Sequence, residues 1–388
     1  MKICVAICEY NPLHVGHITH LNFIKETIKP DILAVILSGN FVQRGEPALA
    51  NKYTRAIWAI KGGADVVFEL PTIFATGNAE TFASGALKLA NSLCGEKTLC
   101  FGTECNDTKL LIDIAKEMLI ESKEYKLALK KELDSGVSYA KARFNALKSV
   151  NSNLDLSPLD KPNNILGIEY IKAILKNNYD IDIKTITRSG GYNDVKLNKI
   201  NPSALSVRTC IENGKRAKSK GAVPKYVYPT LPKKLPDFSR EIIYSLMRMD
   251  KSEIKKLPDC KEGLENKIKA IIKDNFTISE LISKLKSKRY TETRLKRILL
   301  SAMLNIDESF VKDGLKSKLY LKVLALKKDR QDVLSHLSKS NYPLITRKSD
   351  VQNLTGTQLE CFKKDVFAND VYSAVTNEKI NEYEMKLV

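Results

Sequence analysis

Five short apolar runs in the first 200 residues, separated by stretches of helical periodicity, constrain the fold most strongly. They read "KICVAI", "ILAVILSG", "DVVFEL", "TLCFGT" and "IDIKTIT". Most show little polar alternation, as expected of strands covered on both faces. Helical patterns lie between them at 17–28, "YTRAIWAIKG", "AETFASGALKLANSL", 107–134 and "NNILGIEYIKAILKN". This alternation predicts βαβ units, and so an α/β fold with a Rossmann-like doubly wound parallel sheet. Right-handed crossovers bring every strand's carboxyl end, with its following loop, to one edge where ligands bind.

The loops expected at that edge are polar and rich in glycine. After the first strand comes "CEYNPLHVGH", after the second "SGNFVQRGEPA", after the fourth "FGTE" and after the fifth "TRSGGYND". His14, His17 and His20, three of the chain's four histidines, fall within seven residues at the start of the first helix. A metal site is one reading, but His14 and His20 on one helix would differ by about 120° around its axis. No Cys or Asp follows at zinc-site spacing. A phosphate clamp is a second reading. A helix N-terminus offers free N–H groups, Gly16 admits a close approach, and imidazoles on either side can donate to phosphoryl oxygens. An exposed helix start that happens to be rich in histidine is the third. "NPSALSVRTCIENGK" offers another helix start, where Ser206 and Arg208 are either a phosphate contact or a cap with a surface arginine.

Charge separates the two halves. Residues 1–200 carry 25 Lys and Arg against 22 Asp and Glu, whereas residues 201–388 carry 38 against 23, so most of the net +18 lies in the second half. That asymmetry suits a near-neutral catalytic half joined to one that meets a polyanion, or else a lysine-rich solvated surface. Prolines cluster in "VPKYVYPTLPKKLPDF" (223–238), and helical periodicity dominates beyond it. The expected domains are therefore 1–230, near-neutral and carrying the sheet with its ligand edge, and 231–388, basic and mainly helical. "KLYLKVLALKK" and "YPLITRK" are expected to add short strands to the latter. Lys284, Lys286, Lys288, Arg289, Arg294, Lys296 and Arg297 surround Tyr290 and form either a stripe for an RNA backbone or the wet face of an amphipathic helix. The eight scattered cysteines include no CxxC pair, and no apolar run spans a bilayer. A reduced, cytoplasmic protein without a membrane segment is expected.

The strand–loop–HxGH–helix unit, followed by "SALSVR", resembles the HIGH-type nucleotidyltransferase superfamily. More narrowly, "EYNPLHVGH", "SGNFVQRGEPALANK", "GADVVFELP", "FGTE", "NNILGIEYIKA", "CKEGLENKIKAII" and "KSKRYTETRLKRILL" resemble the bacterial tRNA(Met) cytidine acetate ligase family, with matches from about residue 3 to 305. The resemblance implies an enzyme that activates acetate with ATP as acetyl-adenylate. It then acetylates N4 of the wobble cytidine of elongator tRNA(Met). Acetyl-CoA has no place in that scheme. ATP is a substrate, with Mg²⁺ as its usual escort, and no protein metal site is expected.

By the same resemblance, His14, His17 and Arg208 are catalytic. ATP meets Ile7, Cys8, Glu9, Tyr10, Asn11, Pro12, Leu13, His14, Val15, Gly16, His17, Ile18, Thr19 and His20, together with Gly102, Asn163 and Arg188. Gln43, Arg44, Lys52 and Ser206 are further pocket positions, and the basic stripe receives tRNA. The chain departs from the family pattern at Leu13 and Val15, where Phe and Asn are usual, and at Tyr192-Asn193-Asp194, where members read YHD. An adenylyltransferase acting on a small phosphate-bearing acceptor would use the same HxGH and SxxR residues, but would have no need of a basic second half. An RNA-binding protein with a degenerate pocket would not keep His14, Gly16, His17 and Arg208 together.

Overall fold

A computed structural model describes the chain except residues 138, 188–196 and 275–276, together with the side chains of 139 and 140. Its strands are β1 (Lys2–Cys8), β2 (Ile32–Ser38), β3 (Phe41–Val42), β4 (Glu46–Pro47), β5 (Val66–Leu70), β6 (Glu96–Thr103), β7 (Asp182–Thr187), β8 (Leu321–Leu326), β9 (Leu344–Ile345) and β10 (Lys386–Leu387). All but β3 and β4 join one sheet in the order β10-β8-β5-β2-β1-β6-β7, with β9 beside β8. The five strands expected from the sequence lie adjacent and parallel as β5-β2-β1-β6-β7. The order reverses between β1 and β6, which opens a crevice at their carboxyl ends.

The apolar runs are explained by what covers them. Every residue of β2 is buried. Its Ile32, Ala34 and Ile36 enter one core, and Leu33, Val35 and Leu37 enter the other. The first core is closed by the helices Ala79–Ser92, Thr108–Ile120 and Pro162–Lys176, and the second by Lys52–Lys61 and the Val15–Phe23 helix. Asn51 and Asn78 cap their helices by accepting N–H bonds at the third helical residue, which sets where each begins.

Beyond the proline-rich stretch, helices run from Ser239–Arg248 to Glu308–Lys316. The chain then returns to the sheet. β8 pairs antiparallel with β5, and β9 and β10 flank β8. Residues 231–388 thus supply sheet strands as well as the helical layer. The long helix Gly356–Thr376 closes against the loop after β2: Asn40 bonds Asn369 at 2.9 Å, and the Tyr372 hydroxyl donates to the Ala48 carbonyl at 2.9 Å. No helix of the described residues is long and apolar enough to cross a membrane.

Candidate active site

The crevice between β1 and β6 opens into a solvent-connected cleft lined by polar loop residues and a few aromatic and aliphatic ones. Ile7 and Cys8 end β1 at its floor, and Glu9, Tyr10 and Asn11 continue it. Gln43 and Arg44 enter from the turn joining β3 and β4, and Ser203, Ala204, Leu205 and Arg208 from the start of the Ala204–Glu212 helix. Phe82, Phe101, Leu166 and Tyr170 supply apolar wall beside Gly102 and Asn163.

The histidine cluster is organised by a helix start. His14 is the N-cap of Val15–Phe23, and its Nδ1 accepts the Gly16 N–H at 3.1 Å. The Nδ1 of His17 accepts the His14 N–H at 3.2 Å, which completes a reciprocal capping box. The two rings stack, with centroids 3.7 Å apart. A Cβ on Gly16 would lie 3.1 Å from His14 Cε1, so the glycine makes room for the capping ring. Because both Nδ1 atoms accept, the neutral rings carry their protons on Nε2. The cleft is therefore lined by two imidazoles whose tautomers are fixed as donors.

Arg208 is held by the same loop. Its Nη1 donates to the Asn11 carbonyl at 2.7 Å, and its Nη2 lies 3.6 Å from Glu46 Oε2. Glu46 Oε1 accepts Lys296 Nζ at 2.7 Å, which links the site to the Glu292–Leu304 helix. Burial alone would push the Glu46 carboxyl up, but Arg208 and Lys296 outweigh it and hold it below the usual carboxylate range. Glu9 shows the opposite balance: burial raises its carboxyl, and Arg44 and Arg208 only partly oppose this. Buried Arg55 fixes the loops from behind through the carbonyls of Glu9, Ser38, Gly39 and Ala50.

The sequence pattern of the HIGH nucleotidyltransferase family matches residues 1–386. A tRNA(Met) cytidine acetate ligase of Thermoanaerobacter sp. is 40% identical over 388 aligned residues, covering 96% of this chain and 95% of that protein. The ligase of Clostridium novyi is 36% identical and covers 100% and 98%. This chain belongs to the tRNA(Met) cytidine acetate ligase family. The crystal structure of Thermotoga maritima TmcAL in its apo form superposes over 100% of both chains, with a TM-score of 0.93 and 28% identity. The same protein bound with alpha-thio ATP gives 0.89.

Within this family fold, the cleft gathers most, but not all, of the positions expected from the sequence. Ile7, Cys8, Glu9, Tyr10, Asn11, His14, His17, His20, Gln43, Arg44, Gly102, Asn163 and Arg208 line it. Others in the 7–20 stretch turn away. Leu13 is buried in the core, Ile18 packs against that core, and Thr19 bonds back to the Val15 carbonyl. Val15 donates its N–H to the Ala222 carbonyl, a backbone bond that needs no asparagine side chain. Pro12 and Gly16 shape the loop and the cap without lining the cleft. Ser206 closes a capping box with Ser203 and is buried. Arg188 and residues 192–194 lie outside the described residues.

Lys52 is placed elsewhere. It is buried at the start of the Lys52–Lys61 helix, 2.7 Å from Glu69 and 2.6 Å from Glu382, and Lys322 joins the same two carboxylates. A buried lysine requires such partners, and half of this set comes from the chain's last 70 residues. The basic stripe also divides. Lys284, Lys286, Lys288 and Arg289 are exposed. Arg294 instead stacks on Tyr290 and donates to the Asp259 carbonyl, Lys296 holds Glu46 and Glu292, and Arg297 faces Asp259.

Two positioning residues do not stand out in the sequence. Glu104 grips Asn163 at 2.6 Å and the Asn164 N–H at 3.1 Å, which fixes the start of the Pro162–Lys176 helix at the cleft. Glu46 bridges Arg208 and Lys296. Both lie inside the "FGTE" and "QRGEP" segments, where polar residues in edge loops were the available signal.

Proposed function

We propose that this chain is an ATP-dependent acetate ligase that acetylates N4 of the wobble cytidine of elongator tRNA(Met). The observation that carries the reading is the pair of stacked, capping imidazoles at a helix N-terminus, facing a cleft shared with Arg208. In the first step the acetate carboxylate attacks the α-phosphorus of ATP and pyrophosphate leaves. His14 and His17 donate through Nε2 to the phosphoryl oxygens as charge develops, and Arg208 takes the β,γ-phosphates. The Phe101–Tyr170 wall supplies an apolar surface for the base. Mg²⁺ enters as part of the nucleotide, on its phosphates.

In the second step the exocyclic amine of a splayed-out cytosine attacks the acetyl carbonyl and AMP departs. The exposed residues Lys284, Lys286, Lys288 and Arg289 receive the RNA backbone, with Arg294, Lys296 and Arg297 nearer the cleft. Acetate, and not acetyl-CoA, is the acyl donor in this reading, and a cytoplasmic setting goes with a tRNA substrate. The first step is tested by exchange of labelled pyrophosphate into ATP without tRNA. Exchange that requires acetate supports it, and exchange that is absent or indifferent to acetate contradicts it.

A further inference from the structure

Among the described residues lining the cleft, Glu9 supplies the one carboxylate. Acetate and ATP are both anions, so a carboxylate beside them weakens their binding unless the chemistry needs it. Its placement is built. Glu9 follows β1 directly, its carbonyl accepts Arg55 Nη1 at 2.7 Å, and its Oε1 accepts the Gln43 N–H at 2.9 Å.

The second half of the proposed reaction creates a need for such a group. A cytosine N4 amine is a poor base, and its proton becomes acidic only as nitrogen bonds to the acetyl carbon. The AMP leaving group departs as a phosphate anion and needs no proton. A proton acceptor for N4 is therefore required. His14 and His17 are unsuited, because each Nδ1 already accepts a cap bond and each neutral ring carries its proton on Nε2. His20 lies a turn further along, beside the Cys100 thiol of β6.

We propose that Glu9 is the general base of acetyl transfer. The N4 lone pair attacks the acetyl carbon of the acetyl-adenylate, the Glu9 carboxylate takes one N4 proton, and the acyl C–O bond to AMP breaks as the tetrahedral intermediate collapses. This proposal rests on the ligase reading above. The charged groups facing Glu9 are Arg44 and Glu46 from the hairpin, Arg208 from the Ala204–Glu212 helix and Arg55 from the Lys52–Lys61 helix. Burial outweighs the arginines and raises its carboxyl above the ordinary 4.5, the direction that makes it a better proton acceptor.

The test is Glu9→Gln in the full-length enzyme, since the amide oxygen still accepts the Gln43 N–H. Acetate-dependent pyrophosphate exchange and single-turnover acetyl transfer to tRNA(Met) are measured side by side over a range of pH. The proposal expects transfer to fall roughly a hundredfold further than exchange. It also expects the variant's transfer rate to lose the acidic limb of its pH profile. Transfer that keeps the wild-type rate and profile would overturn it, and so would exchange and transfer falling in parallel. If the wild type itself performs neither reaction, the ligase reading fails first, a result that the variant comparison cannot be mistaken for.

Discussion

Lys296 Nζ sits 2.7 Å from Glu46 Oε1, so a residue of the basic helical layer grips the hairpin that carries Gln43 and Arg44 into the cleft. The other oxygen of Glu46 faces Arg208. Burial and charge oppose one another at both ends, and charge wins: Glu46 is held below its ordinary 4.5, and Lys296 is raised above 10.5. A lowered carboxyl stabilises the fold above its ordinary range and loses that contribution as pH falls through its folded value. A raised lysine loses its contribution only as pH rises past its own folded value. Glu46→Gln should therefore cost about 1 kcal/mol through neutral pH, and the difference from wild type in thermal melts should shrink as pH falls below 4.5.

The same hairpin depends on Gly45. Its φ is +75°, and an added Cβ would lie 2.5 Å from Arg297 N and 2.6 Å from Lys296 C, both backbone atoms of the Glu292–Leu304 helix. The helix backbone cannot yield as a flexible side chain would. Gly45→Ala should cost about 1–3 kcal/mol by chemical denaturation and lower pyrophosphate exchange by displacing Gln43 and Arg44. A variant with wild-type stability and exchange would show that the hairpin does not need this approach.

His14 has two separable duties. His14→Ala removes both the N-cap acceptor and the Nε2 donor, at a stability cost of about 1 kcal/mol. His14→Asn restores a cap acceptor without the ring, so it should regain the stability but not the exchange activity. His17→Ala should lower exchange roughly a hundredfold or more while leaving tRNA affinity nearly intact. Filter binding and exchange measured on the three variants separate these roles.

Asp365 should leave a pH signature in stability. It accepts the Thr72 N–H at 2.7 Å and the Tyr320 hydroxyl. Burial, then Glu69, pushes its carboxyl from 3.8 up to about 7, against Lys322 and Lys52. An acid that stays protonated in the fold but ionises in the unfolded chain makes stability fall as pH rises from 3.8 to about 7, with no further loss above. Asp365→Asn should flatten that segment of the stability–pH curve measured by denaturant unfolding. An unchanged slope would place the titration elsewhere.

Charge reversal at Lys286 and Lys288, both exposed, should weaken tRNA binding. The slope of log affinity against log salt should fall by about 1 for each phosphate that is no longer neutralised. Unchanged affinity and slope would make these lysines ordinary solvated surface. Arg294 is the poorer target, because its stacking on Tyr290 ties its removal to folding.

The parts of this molecule visible in its sequence are those set by local pattern. Buried parallel strands announce themselves as apolar runs, whereas the order β5-β2-β1-β6-β7 was not legible, because crossover handedness alone does not say which strands are neighbours. The HxGH turn was legible because cap, glycine and second ring are within four residues of one another. What stayed hidden joins distant segments. β8 pairs with β5 across some 250 residues, and nothing in "LKVLAL" names its partner. Lys52 looked like a pocket cation because it follows an edge loop, yet Glu382 and Lys322, far along the chain, make it part of a buried cluster. Glu46 was in view, but its role required knowing that Arg208 and Lys296 meet there.

The central claim is tested most directly by incubating the purified protein with ATP, Mg²⁺, radiolabelled acetate and unmodified elongator tRNA(Met), then digesting the tRNA to nucleosides. The account predicts labelled N4-acetylcytidine that appears only when ATP and acetate are both present and is lost in His17→Ala. Unlabelled tRNA from folded protein that binds ATP would contradict it, leaving a nucleotide clamp whose acceptor is a different molecule.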